Sequence, residues 1–462
     1  MASIYIKNAY IVTANGKGEI IKDGSIFIED GEIKEVGKSD SMKAYRPEYL
    51  IDAAHKVVMP GLINTHVHLA QALLRGLVPD NVNLIEWLRD WVWPLQGNMS
   101  EDEAAVSTEL TLLEMINSGT TTFLATSVNG RYGVNRTIDA VYKSGIRGAI
   151  GRQIMDIPGY ADQPQMLHPG LVEDADKSLK EFEYVYGRWN NKEGRIWIWL
   201  SPRTPGAVSD DLFRRISLVV SEHNSGVTMH LAEVRDDIRY FGSRNTSPAR
   251  FLKDLGMVGP KHVYVHGVWL NEEDMGIFAG TGTSVSHNPS SNSKLGSGIA
   301  KVVSMLRNGV NVTLGTDGGP SNDTYDLLRE LRLALLLQKV DNLDPQAFNL
   351  MEAIKLATIN GARGLGIEAM VGSIEVGKRA DLAIFDVRKP YTSPSVIAPI
   401  SNLVYAGTGS DATDVIVDGK FLKKNGKVLV LDESLVIEKA ERASAELLAR
   451  AGKKDWTGPE PL

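Results

Sequence analysis

Between Val57 and about residue 365 the chain repeats one pattern, a short apolar β-branched run followed by an amphipathic stretch, and no other feature limits its fold as tightly. The runs are Val57–His66, Thr120–Ala125, Ile146–Ile154, Ile196–Ser201, Gly226–His230, His262–His266, Thr283–His287 and Val310–Thr316. Between them Asp102–Ser118, Ser209–Asn224, Ser247–Leu255, Ile299–Asn308 and Tyr325–Val340 place apolar residues at helical spacing. Such alternation calls for a parallel sheet covered by helices, either doubly wound or closed into a barrel. Eight repeats favour closure, so the expected class is α/β, a (β/α)8 TIM-like barrel.

The flanks lack this pattern. Residues 2 to about 58 give short alternating strands, Ser3–Thr13, Gly24–Glu29 and Glu32–Val36, with Asp30-Gly31 as a hairpin turn. After a helix at Glu352–Leu365, strand signals return at Gly372–Glu375, Ala380–Val387, Asp414–Val417 and Lys427–Val430, with turns at Asp418-Gly419 and Asn425-Gly426. β segments on either side of a barrel pair most economically with each other, which predicts a small discontinuous β-sandwich domain. The expected division is 1–58 and 369–432 for the two parts of that domain, 59–368 for the barrel, and 433–462 for a closing helix, Glu433–Ala451, and a tail. The tail, Lys453–Leu462, reads as an arm lying on the surface or on a partner.

With 462 residues, 43% of them hydrophobic and 23% charged, the chain can bury cores of this size. A net charge of −7 argues against nucleic acid or an anionic membrane surface as the main partner. There is no cysteine, so disulfides and thiolate metal sites are excluded and any metal rests on His, Asp or Glu. The N-terminal residues alternate like a strand, without the apolar core of a signal peptide, and no stretch is long and apolar enough to span a bilayer. A cytoplasmic location is expected.

In a barrel of this kind catalytic groups stand at the C-terminal ends of the strands. His66 and His68 close the first run, His230 the fifth, His266 the sixth, His287 the seventh and Asp317 the eighth. Residues two apart in a strand share a face, so His66 and His68 aim at one point, and zinc takes nitrogen and oxygen donors of this sort. Each histidine taken singly reads equally well as a hydrogen-bonded structural residue; such donors at five strand ends together point to a metal centre. His55, His168, His223 and His262 precede strands or lie in loops and helices, and read as surface or structural. The fourth run offers neither an acid nor a lysine to bridge two cations, so one metal is expected. Glu233 follows His230 by three residues, an odd offset that turns it away unless the strand stops near His230. If the strand does stop, Glu233 is a carboxylate over the reacting water and a natural proton carrier. Trp87, Trp91 and Trp93 follow Pro79-Asp80, and serve either as buried packing or as a flat surface for a heteroaromatic ring.

The segments Pro60–His68, Met229–Glu233, Val265–Gly267, Ser286–Ala300, Leu314–Gly318 with Ser321-Asn322, and Val371–Leu382 together resemble the amidohydrolase superfamily, in particular its single-metal deaminase and chlorohydrolase branch. The resemblance spans almost the whole chain. It implies one divalent metal, zinc or iron, on His66, His68, His230 and Asp317, with His266 holding the attacking water or the substrate. It also implies substrate contacts from Trp87, Gln96, Arg203, Ser321 and Asn322, and from Arg152 unless that side chain is spent on a salt bridge to a neighbouring loop. Leu74–Gly76 and Ser286–Ala300 are similar to enzymes that deaminate adenosine-type compounds, including methylthioadenosine and S-adenosylhomocysteine. Glu86–Leu88 and Pro94–Gln96 resemble the triazine hydrolases of atrazine and melamine. Gln96 stands where the adenosine-type enzymes carry a glutamate, and Arg203 where they carry a histidine. A homo-oligomer follows by analogy with the superfamily.

The expected reaction is hydrolytic deamination of a small aminated nitrogen heterocycle, an adenosine-type purine or nucleoside. A bound divalent metal lowers the pKa of water from about 15.7 to about 7. Asp317 and His266 orient the resulting hydroxide and draw its proton, Glu233 protonates the ring nitrogen beside the attacked carbon, and His287 steadies the adduct. One alternative is a triazine hydrolase releasing chloride or an amine. Another is a non-catalytic scaffold on the same fold, against which the complete ligand set argues.

Overall fold

The structure, a computed structural model, describes residues 3–456. Eight parallel strands form one sheet: Leu62–Val67 (β1), Thr120–Val128 (β2), Arg147–Ile154 (β3), Ile196–Pro202 (β4), Val227–Leu231 (β5), His262–His266 (β6), Ser284–His287 (β7) and Asn311–Leu314 (β8). Each pairs with its neighbour in chain order, and the ring closes where Val67 bridges Asp317, whose N–H donates to the His66 carbonyl at 2.9 Å. The strand–helix alternation thus becomes the expected barrel.

Period-two alternation sorts the strand side chains between two cores. In β4, Ile198 and Leu200 pack outward against the helices, whereas Trp199 points inward with Ile63, Leu124, Ala149 and Val263. That inner group meets Ala362 and Leu365 of the helix Ile359–Leu365, which closes the N-terminal end of the barrel. Burying each such aliphatic side chain contributes about 1.5–3 kcal/mol. The opposite, C-terminal mouth is left for a site.

The first apolar run divides. Lys56–Pro60 belongs to the outer sheet, where it pairs with Leu382–Asp386, and β1 begins only at Leu62. Gly61 makes the division possible, because a Cβ there would lie 2.1 Å from the Thr121 side chain. The expected helix Glu352–Leu365 also divides, into Leu350–Leu356 and Ile359–Leu365. The Ala357 carbonyl between them accepts the Ile63 N–H of β1 at 2.8 Å, so a strand edge competes with the helix for that carbonyl.

The chain ends build a second, mixed sheet of nine strands: Ile4–Val12, Ile20–Glu29, Glu32–Lys38, Tyr49–Asp52, Lys56–Pro60, Leu382–Asp386, Ala412–Val417, Lys420–Lys424 and Lys427–Val428. It curls over a core of Ile6, Ile26, Ile28, Leu382 and Ile416 until Ile33 meets the segment ahead of Leu382, donating to the Lys378 carbonyl at 2.9 Å. The expected sandwich is therefore one continuous sheet folded on itself. Tyr49–Asp52 and Lys420–Lys424 are strands that the pattern did not reveal, while 372–375 makes isolated edge contacts such as Ile374 N–H to the Thr13 carbonyl, 2.8 Å.

The helix Glu433–Arg450 lies across the helix Glu101–Asn117 and the turn Leu69–Leu74, with Ser444 Oγ donating to the Leu73 carbonyl at 3.0 Å. After it, Lys453 sits 4.0 Å over the Trp91 ring and Trp456 packs 4.5 Å from it, centroid to centroid. Residues 457–462 of the expected arm lie outside the described residues. No helix among the described residues is long and apolar enough to cross a membrane.

Candidate functional site

At the C-terminal mouth His66, His68, His230 and Asp317 each turn one donor atom toward a common point, all within 4.8 Å of one another. His66 Nε2 lies 3.1 Å from Asp317 Oδ1, and His68 Nε2 lies 3.2 Å from the same oxygen. His68 Nε2 and His230 Nε2 are 3.1 Å apart, a separation at which two lone pairs repel unless a proton or a cation lies between them. The orientations are fixed from behind. His230 Nδ1 faces the Arg203 carbonyl at 3.3 Å, which leaves Nε2 as its free donor, and Ser291 Oγ donates to Asp317 Oδ2 at 2.6 Å. Asp317 stands just beyond β8 with φ +67°, a left-handed turn that swings its carboxylate into the mouth.

Burial and mutual charge set the protonation states. Desolvation lowers His66 to about 4, against the pull of Asp317, and carries His230 well below the imidazole range, with the neighbouring histidines adding to the effect. Asp317 is held well below the usual carboxylate range: burial opposes ionisation, and the His66 and His68 rings outweigh it. Imidazole nitrogens beside a buried carboxylate make a nitrogen-rich donor set, which suits a borderline divalent cation such as zinc.

Glu233 reaches this point because β5 ends at Leu231 and Ala232 adopts φ +52°, so the odd offset from His230 is cancelled by a turn. Its backbone N–H donates to Asp237 Oδ2 at 2.8 Å, and Asp237 in turn accepts from the Tyr160 hydroxyl at 2.8 Å. Glu233 Oε2 lies 3.5 Å from His266 Nε2. Desolvation, reinforced by Asp317 and Asp237, pushes the Glu233 carboxyl well above its ordinary value. His266, at the end of β6 with φ +74°, holds Nδ1 2.9 Å from Asn292 Oδ1; with Nδ1–H donated there, Nε2 is free as an acceptor. Burial keeps His266 below the ordinary imidazole value.

These groups open into a cavity walled by His68, His230, Glu233, His266 and Asp317 together with Trp87, Trp93, Gln96 and Arg203. Other expected contacts are elsewhere. Arg152 is buried in ion pairs with Glu173 at 2.6 Å and Glu181 at 2.7 Å and does not line the cavity. Ser321 and Asn322 shape the turn after β8, with Asn322 donating to the Thr316 carbonyl at 2.7 Å and to Glu330 at 3.0 Å, so they brace Asp317 and do not face the cavity. His287 is buried, off the cavity wall, with both ring nitrogens unpartnered and burial lowering it to about 3. That placement gives it no hold on an adduct. Of the three tryptophans, Trp87 and Trp93 face the cavity and Trp91 packs on the C-terminal tail.

Sequence reasoning missed Gln71, Ser127, Tyr160 and Thr204 on the cavity wall, and the bracing roles of Ser291, Asn292 and Asp237. Ser291 and Asn292 lie in the motif segment Ser286–Ala300, so a signal was present; the others are single polar residues, on a strand (Ser127), on helices (Gln71, Asp237) and on loops (Tyr160, Thr204), with no motif to mark them.

A family model described as the amidohydrolase family matches residues 57–422. The chain is 38% identical over 453 residues to a 5′-deoxyadenosine deaminase of Methanosarcina acetivorans, covering 98% of this chain and 100% of that one. It is 37% identical over 434 residues to a 5-methylthioadenosine/S-adenosylhomocysteine deaminase of Thermococcus onnurineus, covering 94% and 95%. Among solved structures, an adenosine deaminase from Xanthomonas campestris with bound zinc superposes with a TM-score of 0.89 at 27% identity, over 96% of this chain and 98% of that one. An atrazine chlorohydrolase from Arthrobacter aurescens, at 24% identity and a TM-score of 0.86 over 96% and 100%, shares the fold. With the family match spanning the whole barrel and part of the flanking sheet, and relatives aligned nearly end to end, this chain belongs to the amidohydrolase family.

Proposed function

We propose that the protein is a metal-dependent aminohydrolase that removes the amino group of an aminated nitrogen heterocycle of the adenosine type. One observation carries this reading most: a fully buried Glu233 with a raised pKa, 3.5 Å from His266 and in the same cavity as the His–Asp cluster. The names of the relatives support the substrate type. His66, His68, His230 and Asp317 would hold one divalent cation, and zinc fits both the donor set and the zinc-bearing deaminase of the same fold. When bound, that cation supplies Lewis acidity, bringing the pKa of a water down to about 7.

The side chains divide the remaining work. Trp87 and Trp93 offer flat apolar faces on which a heteroaromatic ring stacks. Glu233, whose carboxyl burial favours in its protonated form, donates its proton to the ring nitrogen beside the amino-bearing carbon, which makes that carbon electrophilic. As a water oxygen bonds to the carbon, one of its protons passes to His266 Nε2, free because Nδ1 is committed to Asn292. That proton moves on to the amino group, the C–N bond breaks and ammonia leaves. The proton of the hydroxyl left on the carbon passes to the Glu233 carboxylate, restoring its acid form, and the ring keeps a carbonyl beside its N–H.

A coupled ammonia-release assay on zinc-loaded protein, over adenosine, 5′-deoxyadenosine, methylthioadenosine, guanine, melamine and atrazine, tests the reading. Ammonia from an adenosine-type compound is expected. Chloride from atrazine with no ammonia from any purine would instead favour the triazine hydrolase, a reading to which the neutral Gln96 on the cavity wall lends some support.

A further inference from the structure

The cavity has a second set of polar groups that the reaction above does not use. Arg203 follows β4, is buried and stacks with its guanidinium carbon 4.9 Å from the centre of the Trp93 ring. Its Nη1 donates to Gln153 Oε1 at 3.0 Å, but its Nε is buried with no partner. The Glu173 carboxylate does not help. Glu173 already accepts from Arg152 at 2.6 and 3.0 Å, from Gln153 Nε2 at 3.0 Å and from the Gly130 N–H at 2.9 Å. Gln96, buried on the same wall, brings an amide, and the Trp87 Nε1–H is also buried and unpartnered. Among the described residues the carboxylates lining the cavity are Glu233 and Asp317, both engaged beside the candidate metal cluster. A guanidinium N–H buried this way is an unmet donor, and a planar cation of this kind is built to meet oxygen acceptors.

We propose that Arg203 and Gln96 form a subsite for an acceptor oxygen on the substrate, a carbonyl or a carboxylate, so that the preferred heterocycle carries such an oxygen as well as the amino group it loses. The inference rests on the aminohydrolase reading and deepens it. A wall that presents donors without a free carboxylate discriminates against a substituent that only offers hydroxyl groups, because a diol leaves the charge of Arg203 less well met.

The test compares matched pairs on zinc-loaded protein by ammonia release: isoguanine against adenine for the carbonyl, and adenosine-5′-carboxylic acid against 5′-deoxyadenosine for the carboxylate. In at least one pair the oxygen-bearing member should have a kcat/KM about tenfold or more above its partner. R203M should bring that ratio close to one, and Q96L should lower it partway. R203K, which keeps the charge but not the planar fork, serves where R203M does not fold and should also lower the ratio. The pair that responds identifies the oxygen. Equal kcat/KM within both pairs, or a ratio unchanged in R203M and R203K, would overturn the subsite while leaving the deaminase reading intact. Absence of ammonia from every member would defeat the deaminase reading and the subsite with it.

Discussion

Glu233 and Glu330 are both fully buried carboxyl groups that desolvation raises above their ordinary range, and the structure gives them different tasks. Glu233 faces the cavity, so Glu233→Gln should lower kcat by about 10²–10⁴. Metal content of the variant, measured alongside, should stay at the wild-type level; retained turnover would remove the proton-transfer role. Glu330 lies behind the site. It accepts from the Ser290 N–H at 3.1 Å, the Ser290 hydroxyl and Asn322 Nδ2 at 3.0 Å, and so ties the short helix Pro289–Lys294, whose Ser291 and Asn292 brace Asp317 and His266, to the helical turn Gly319–Asn322 after β8. Burial raises it to about 7 from 4.5. The unfolded chain releases this proton near 4.5 and the folded protein near 7, so between those values the native state holds the extra proton and its stability falls as pH rises. Glu330→Gln fixes the neutral form, and its stability relative to wild type should rise by on the order of 2–3 kcal/mol between pH 4.5 and 7.5 in urea unfolding. A pH-independent difference would contradict this. Both carboxyls also mark how far residues can be read from sequence. His66, His68, His230, Asp317 and Glu233 stood out because strand ends are where a barrel puts chemistry. Glu330, Asp237 and Asn292 did not, because nothing in a lone polar residue on a helix or loop tells which distant group it will brace.

Periodicity located the barrel strands to within a few residues, since a buried strand must be apolar whatever its neighbours are. It failed where one element's hydrogen bonds are claimed by another. Gly61 ends one sheet and lets the next begin, and the Ala357 carbonyl is taken by β1, events that depend on partners hundreds of residues away. The closing helix is a case in which the pattern gave the element but not its purpose. Leu447 is fully buried in a cluster with Leu73, Leu74, Trp87 and Trp93, so the last helix packs beneath the aromatic wall of the cavity. Leu447→Ala should cost about 2–5 kcal/mol by cavity formation. It should also raise KM for the deaminated substrate several-fold while metal content is unchanged. An unaltered KM in a demonstrably destabilised variant would confine that helix to stability.

Taken together, the molecule separates its duties by position. The N-terminal end of the barrel is sealed by apolar side chains, and the folded-over sheet has a core of its own on one face while Val57, Met59, Phe385 and Val415 on the other join the core outside the barrel strands. The C-terminal mouth gathers the charged groups, and the expected substrate contacts that face it are Trp87, Gln96 and Arg203, while Arg152, Ser321 and Asn322 serve the framework. Because a ligand that binds only the native state stabilises it, chelation should lower the melting temperature as it abolishes ammonia release, and added zinc should restore both. The proposed chemistry requires that His66, His68, His230 and Asp317 converge upon one cation. Elemental analysis of wild-type, His230→Ala and Asp317→Ala proteins, each dialysed after zinc loading and checked for native circular dichroism, measures it directly. One metal per wild-type chain, falling well below one in both folded variants, is the predicted result; none, two, or full retention in the variants would contradict it.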